Sequence, residues 1–217
     1  MAPRNKEGRI KDLAEKLERG EITKKEAIRE LCRRGLQHGR YGHSWLMSFS
    51  MAAWGVLCFI SGIAKATDIP ILGFFVQLPT ISFSPTIAYL ALVLVFSGFA
   101  VALYATYFRA VRGGCGWKGE SETVTFVRRG PYKIMRHPAV VGFCGIFVFL
   151  TVFLSEYIPF NILSVIGNLF FCLTSYYSCM DEEKLGILKW GDTYRQYMKE
   201  VPRWNFIKGL WNLRKRK

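Results

Sequence analysis

Acidic residues are scarce in this 217-residue chain: sixteen Asp and Glu stand against thirty Lys and Arg, for a net charge of +14. There are three histidines and six cysteines, and the cysteines (Cys32, Cys58, Cys115, Cys144, Cys172, Cys179) form no C-x-x-C pair. Without such spacing neither a zinc site nor a disulfide framework is expected. Three or four of the six fall in apolar runs, where Cys behaves as a small apolar residue. No G-x-G-x-x-G turn falls between a strand and a helix, so the Rossmann way of holding a nucleotide is not expected either. Charge itself is missing from four stretches: Tyr41 to Ala64, Ile69 to Phe108, His137 to Ser155 and Tyr157 to Met180.

Those stretches explain how a chain can be 51% hydrophobic and still strongly basic: its charged and apolar residues are segregated. A bilayer core takes about 20 mostly apolar residues per helical span, and the four windows hold 24, 40, 19 and 24. An all-α, polytopic membrane bundle of about four spans is expected. Residues 1–40 are highly charged, and the first apolar stretch starts too late and runs too long for a signal peptide, so the first span is expected to stay as an anchor.

Residues 1–40 read as a soluble basic helical hairpin ahead of a membrane domain over 41–217. Ile10, Leu13 and Leu17 recur at helical spacing, and Gly20 stops that helix. Thr23 and Glu26 make a capping box for the next, which Ile28, Leu31 and Leu36 continue. The first span is expected over 44–66 and the second over 86–108. Pro70, Pro79 and Pro85 make the intervening segment an apolar loop or a shallow re-entrant one. The third span runs from Pro138 to about Leu154, and a turn over 155–159 leads into a fourth ending near Cys179. The helix then continues to Gly191, where Asp192 caps a short helix that Pro202 ends. Tyr194, Tyr197, Met198 and Val201 give that helix one apolar, aromatic face.

With four spans, residues 1–43, 109–136 and 181–217 share one side and carry 12, 7 and 10 of the basic residues, leaving Lys65 alone opposite. The positive-inside rule places that side, with both termini, in the cytoplasm of an inner or plasma membrane or an endoplasmic reticulum. The closing Arg214–Lys217 run is expected to meet anionic headgroups. Membrane lipids are the expected partners, with no nucleic acid, and nothing in the pattern fixes an oligomeric state.

Three polar segments adjoin the spans on that side. In the first, running from Arg128 to Pro138, Gly130-Pro131 signals a turn and Pro138 sits where a helix-initiating proline belongs. His137 therefore lies beside exposed N–H groups that attract carboxylates and phosphates, reinforced by Arg136 and Lys133. Arginines flanking a span also satisfy charge bias alone, and a histidine without an acidic neighbour in sequence is by default structural. The second segment, Asp181-Glu182-Glu183, needs a cation beside it; an ion pair with the central loop is the simplest, and a cationic ligand the alternative. The third is Val201-Pro202-Arg203.

Taken in order, Gly130-Pro131-Tyr132, Arg136-His137-Pro138, Gly142, Glu182-Glu183, Leu185, Gly191, Tyr194, Tyr197, Val201-Pro202 and Arg203 resemble the isoprenylcysteine carboxyl methyltransferase family and its phospholipid methyltransferase relatives. The resemblance covers about residues 125–209. It implies S-adenosylmethionine as cofactor, held by Tyr132, Arg136, His137, Pro138, Gly142, Glu182 and Glu183, with no metal. It also implies methyl transfer to a lipid-like acceptor, the carboxylate of a prenylated molecule or the amine of a phospholipid. Arg203 would orient an acceptor carboxylate, and Tyr194, Tyr197 or a Glu would serve as base for an amine. Glu183→Ala is then expected to lose the cofactor with its fold intact. Val140 departs from the family, which usually has an aromatic two residues after the proline of R-H-P. Sterol reductases, which use NADPH, share a similar R-H-P segment and acidic pair, and a non-enzymatic membrane anchor is the third reading.

Overall fold

A computed structural model describes residues 10–36, 44–67, 69–113 and 123–215. Its α-helices are α1 (Lys11–Glu18), α2 (Lys24–Arg33), α3 (Ser44–Thr67), α4 (Gly73–Val76), α5 (Pro85–Arg112), α6 (Pro138–Phe153), α7 (Ile162–Glu200) and α8 (Phe206–Lys215). Among the described residues there is no strand beyond an isolated Thr80–Asn161 bridge. Helices α3, α5, α6 and α7 are long and apolar enough to cross a membrane. The all-α polytopic bundle is therefore the observed class, and the chain is a membrane protein.

Contacts divide the chain into two units. One comprises 44–101 and 140–177, the other 1–43, 102–139 and 178–217. The first is inverted relative to a soluble domain. Phe49, Val56, Leu90, Phe96 and Leu169 are each more than half exposed, as a lipid solvent allows. Its polar side chains turn inward. Asn168 accepts from Trp54 Nε1 and donates to Thr151 Oγ1, both at 2.9 Å, and Asn161 Nδ2 donates to Ser61 Oγ at 2.6 Å. In hydrocarbon no water can satisfy such groups, so they must satisfy one another. Gly142, expected at the cofactor, belongs to this unit. Its carbonyl lies so near Gly98 that a Cβ there would come within 2.8 Å. Gly98 is thus the residue that allows this close helix approach.

The proline-rich segment before α5 is a loop, with a 3-10 turn at Pro70–Leu72, the single turn α4, and then extended chain. Ile81 N–H donates to the Phe160 carbonyl at 2.7 Å, so the loop is tied by its own backbone. Pro79 and Pro85 lack the N–H that a continuous helix would require.

The second unit holds the hairpin. The Thr23–Glu26 capping box forms as expected. Leu36 does not extend α2: Gly35 takes φ +67 and ends the helix, and Leu36 folds in behind it. The buried residues Ile10, Leu13, Ala27, Leu31 and Leu36 enclose Val124, and Leu188 and Trp190 pack against them. The hairpin core is thus completed by residues far along the chain.

The unbroken part of α7, residues 162–190 ahead of a kink at Gly191, runs about 43 Å at 1.5 Å per residue, well beyond a hydrocarbon core. Its charge-free part, Ile162 to Met180, suffices for the span. The part from Asp181 on lies beyond the apolar stretch. Gly191 breaks the rod at φ +57, ψ −128, a conformation that carries no Cβ without strain. Beyond it Tyr194, Tyr197 and Val201 are buried around Phe126, the aromatic face anticipated above.

Candidate functional site

The site is assembled from three short segments of the second unit. The Gly130–Lys133 3-10 turn delivers Arg136, His137 and Pro138 to the start of α6. Along α7, Cys179, Glu183, Gly186 and Trp190 follow i, i+4, i+7, i+11 and therefore share one helix face. The chain leaving α7 returns Arg203 to the same place. Arg136 N–H donates to the Pro202 carbonyl at 3.0 Å and His137 N–H to that of Arg203 at 3.4 Å, so the R-H-P and V-P-R segments are strapped backbone to backbone.

Glu183 is the hub. Arg203 donates to it twice, Nε at 2.8 Å and Nη2 at 2.6 Å. Arg136 Nη1 stands 2.9 Å away and His137 Nε2 3.3 Å away. The other ring nitrogen, Nδ1, is 3.2 Å from Glu182. Glu183 and His137 are almost completely buried, where a charge without a partner would be costly. Burial pushes the Glu183 carboxyl up, but Arg203, His137 and Arg136 override it and hold it at about 2. Burial likewise opposes charge on His137, yet Cys179, Glu182 and Glu183 raise its basicity well above that of free imidazole.

Arg136 is the exception to this satisfaction. Its side chain is 9% exposed, and its Nε and Nη1 find no hydrogen-bond acceptor among the described residues despite the ion pair. Buried guanidinium donors ordinarily find acceptors. Both Arg136 and His137 line a cavity of about 20 Å³ with Arg109, Phe126, Tyr132 and Tyr194, room for about one water. A larger cavity of about 370 Å³ is lined by Ile10, Ala14, Thr125, Phe126, Trp190 and Thr193, among others.

The expected site residues therefore fall into groups. Arg136, His137, Glu182, Glu183 and Arg203 converge on one cluster. Pro138 is buried beside it as the first residue of α6. Tyr132 and Tyr197 brace the turn: Tyr197 Oη donates to the Tyr132 carbonyl at 2.7 Å, and Tyr132 Oη to that of Ala105 at 3.2 Å. Tyr194 stacks on Trp190 at 5.8 Å and lies over Gly186, where a Cβ would come within 2.5 Å of its ring. The sequence reading missed Lys189, fully buried with Nζ donating to the Thr123 carbonyl at 2.9 Å. It follows the buried Leu185 by four residues, and that helical phase is the only local sign of its burial. Also missed were the Arg128–Glu200 ion pair and the buried Arg136 Nε left without an acceptor.

Comparison with family models, curated proteins and solved structures finds no match to this chain.

Proposed function

We propose that the chain is an integral membrane methyltransferase that uses S-adenosylmethionine and acts on a lipid-like acceptor. The acceptor is the carboxylate of a prenylcysteine-like molecule or the amine of a phospholipid. One observation carries this reading. The segments on which the family resemblance rests, far apart in sequence, meet in a single buried ion cluster around Glu183.

The donor chemistry fits the cofactor's amino-acid end. Arg136 keeps its buried Nε without an acceptor beside the N-terminus of α6, a combination suited to a carboxylate. Glu182 supplies a carboxylate for the ammonium. The space beside them does not fit as it stands, because a cavity of about 20 Å³ is far below the several hundred Å³ of a small-molecule site. Binding therefore requires the Arg203-bearing strap to shift from Glu183. When bound, S-adenosylmethionine supplies an activated methyl group. The protein's own work is to align the acceptor in line with it and exclude water. Once displaced from Glu183, Arg203 is placed to pair with an acceptor carboxylate. For an amine acceptor a base must take the proton, and Tyr197 is the weaker candidate because it is held as a donor to Tyr132. The basic face lies in the cytoplasm on this reading, as charge bias requires.

Calorimetric titration of the detergent-purified protein with S-adenosylhomocysteine, with NADPH in parallel, tests the class. Saturable binding of the former, weakened in Glu182→Gln, supports it. Binding of NADPH alone favours the reductase, and binding of neither leaves the membrane anchor.

A further inference from the structure

The cavity beside the ion cluster is too small for a cofactor, and the cavity large enough for one is lined by neither Arg136 nor His137. Both, however, lie against Phe126, which lines each of them. Helix α7 runs past both, with Glu183 at the cluster and Trp190, on the same face, at the larger cavity. The larger cavity has the character of a ligand seat. Phe126 and Trp190, their rings 5.2 Å apart, offer flat apolar surface. Thr125, Thr193 and Asp192 add hydroxyls and a carboxylate at its edge. Trp190 keeps its indole N–H buried without an acceptor, which is unusual for a buried indole.

We propose that this cavity is the nucleoside half of the cofactor site. It takes a flat nitrogen heterocycle against Phe126 and Trp190 and the sugar hydroxyls on Thr125, Thr193 and Asp192, with α1 of the N-terminal hairpin as its outer wall. The ring of Phe126 is the partition between the two halves, and its displacement joins them. This inference rests on the methyltransferase reading for the identity of the ligand. It gives the hairpin a role: Ile10 and Ala14 close the seat, and the packing of Leu13 and Leu31 around Val124 holds that wall in place.

The test uses the full-length protein and two probes, adenosine and S-adenosylhomocysteine, titrated into wild type and Ala14→Trp, which fills the cavity from the hairpin side. Loss of one aromatic stacking seat corresponds to about tenfold or more in affinity. Both probes should weaken by that factor in Ala14→Trp while its melting temperature holds. Wild-type affinity of the variant for both would overturn the inference and leave the methyltransferase reading standing. If wild type binds adenosine but not S-adenosylhomocysteine, and the variant binds neither, the seat stands and the methyltransferase reading falls. Should Ala14→Trp fail to fold, photolabelling of wild type with an azido-adenosine decides. Labelled peptides containing Phe126 or Trp190 support the seat, and labelling confined to other peptides overturns it.

Discussion

Glu183→Gln preserves the shape of the hub and removes its charge. In the folded protein the carboxyl is held at about 2, against 4.5 for a free glutamate, a gap equivalent to about 3 kcal/mol. Removing one partner of a buried ion pair costs about 3–5 kcal/mol, so the two routes agree. At roughly 2–4 °C per kcal/mol for a chain of this size, the variant should melt roughly 10 °C below wild type. This revises the expectation that Glu183→Ala leaves the fold intact, because the residue secures Arg203, Arg136 and His137 together. Thermal unfolding of the detergent-solubilised protein, followed by tryptophan fluorescence, measures the loss. A cycle with Arg203→Met isolates the pair, and the double variant should lose less than the sum of the singles. A loss below about 1 kcal/mol, or simple additivity, would refute the hub.

Other predictions follow from the same geometry. The Glu183 carboxyl is lowered, so its stabilisation is complete above the ordinary carboxylate range and disappears as pH falls through about 2. His137 is raised, so its contribution is complete below 6.5 and disappears as pH rises through its elevated folded value; His137→Gln should flatten the alkaline limb of a melting-temperature profile. A Cβ at Gly209 would stand 1.9 Å from the Ile134 carbonyl oxygen. Gly209→Ala should therefore lift α8 and open the chain near residue 205 to limited proteolysis, at a cost of about 1–3 kcal/mol. Gly191→Val should destabilise by a similar amount through strain at φ +57, measured as a lower melting temperature than wild type. Cys32, exposed on α2, should react with an impermeant maleimide only from the cytoplasmic side; labelling of intact cells would overturn the orientation.

Spans and hairpin were legible because apolar runs, prolines and a capping box act locally. The four charge-free windows located α3, α5, α6 and α7, and Thr23 located the start of α2. The end of α2 was missed because Leu36 fits the helical phase, while the chain is turned by the conformation of Gly35. At the site, residue identities were legible but not their commitments. Sequence presents Glu183 as a carboxylate awaiting a cation, and only tertiary structure shows three cations already there. Gly98 of α5 lies against the Gly142 carbonyl, a relation between helices that no spacing along one segment discloses. Lys189 reads as a surface cation by type and is buried by helical phase.

The uninterrupted helix between Glu183 and Trp190 has a further consequence. Seven residues at 1.5 Å each set those side chains about 10 Å apart along the axis, and strap or ring movements leave that spacing unchanged. The helix is thus a fixed yardstick between the ion cluster and the larger cavity, and on the site proposed above a molecule held at both must match it in length. A free amino acid or a bare nucleoside can reach only one mark. A molecule that joins the two at the right span gains from each grip at once, because the second contact forms at high effective concentration. On that proposal selectivity would reside in the register of α7, and one residue inserted between Glu183 and Trp190 would lengthen the measure by about 1.5 Å and turn its far mark by about 100°.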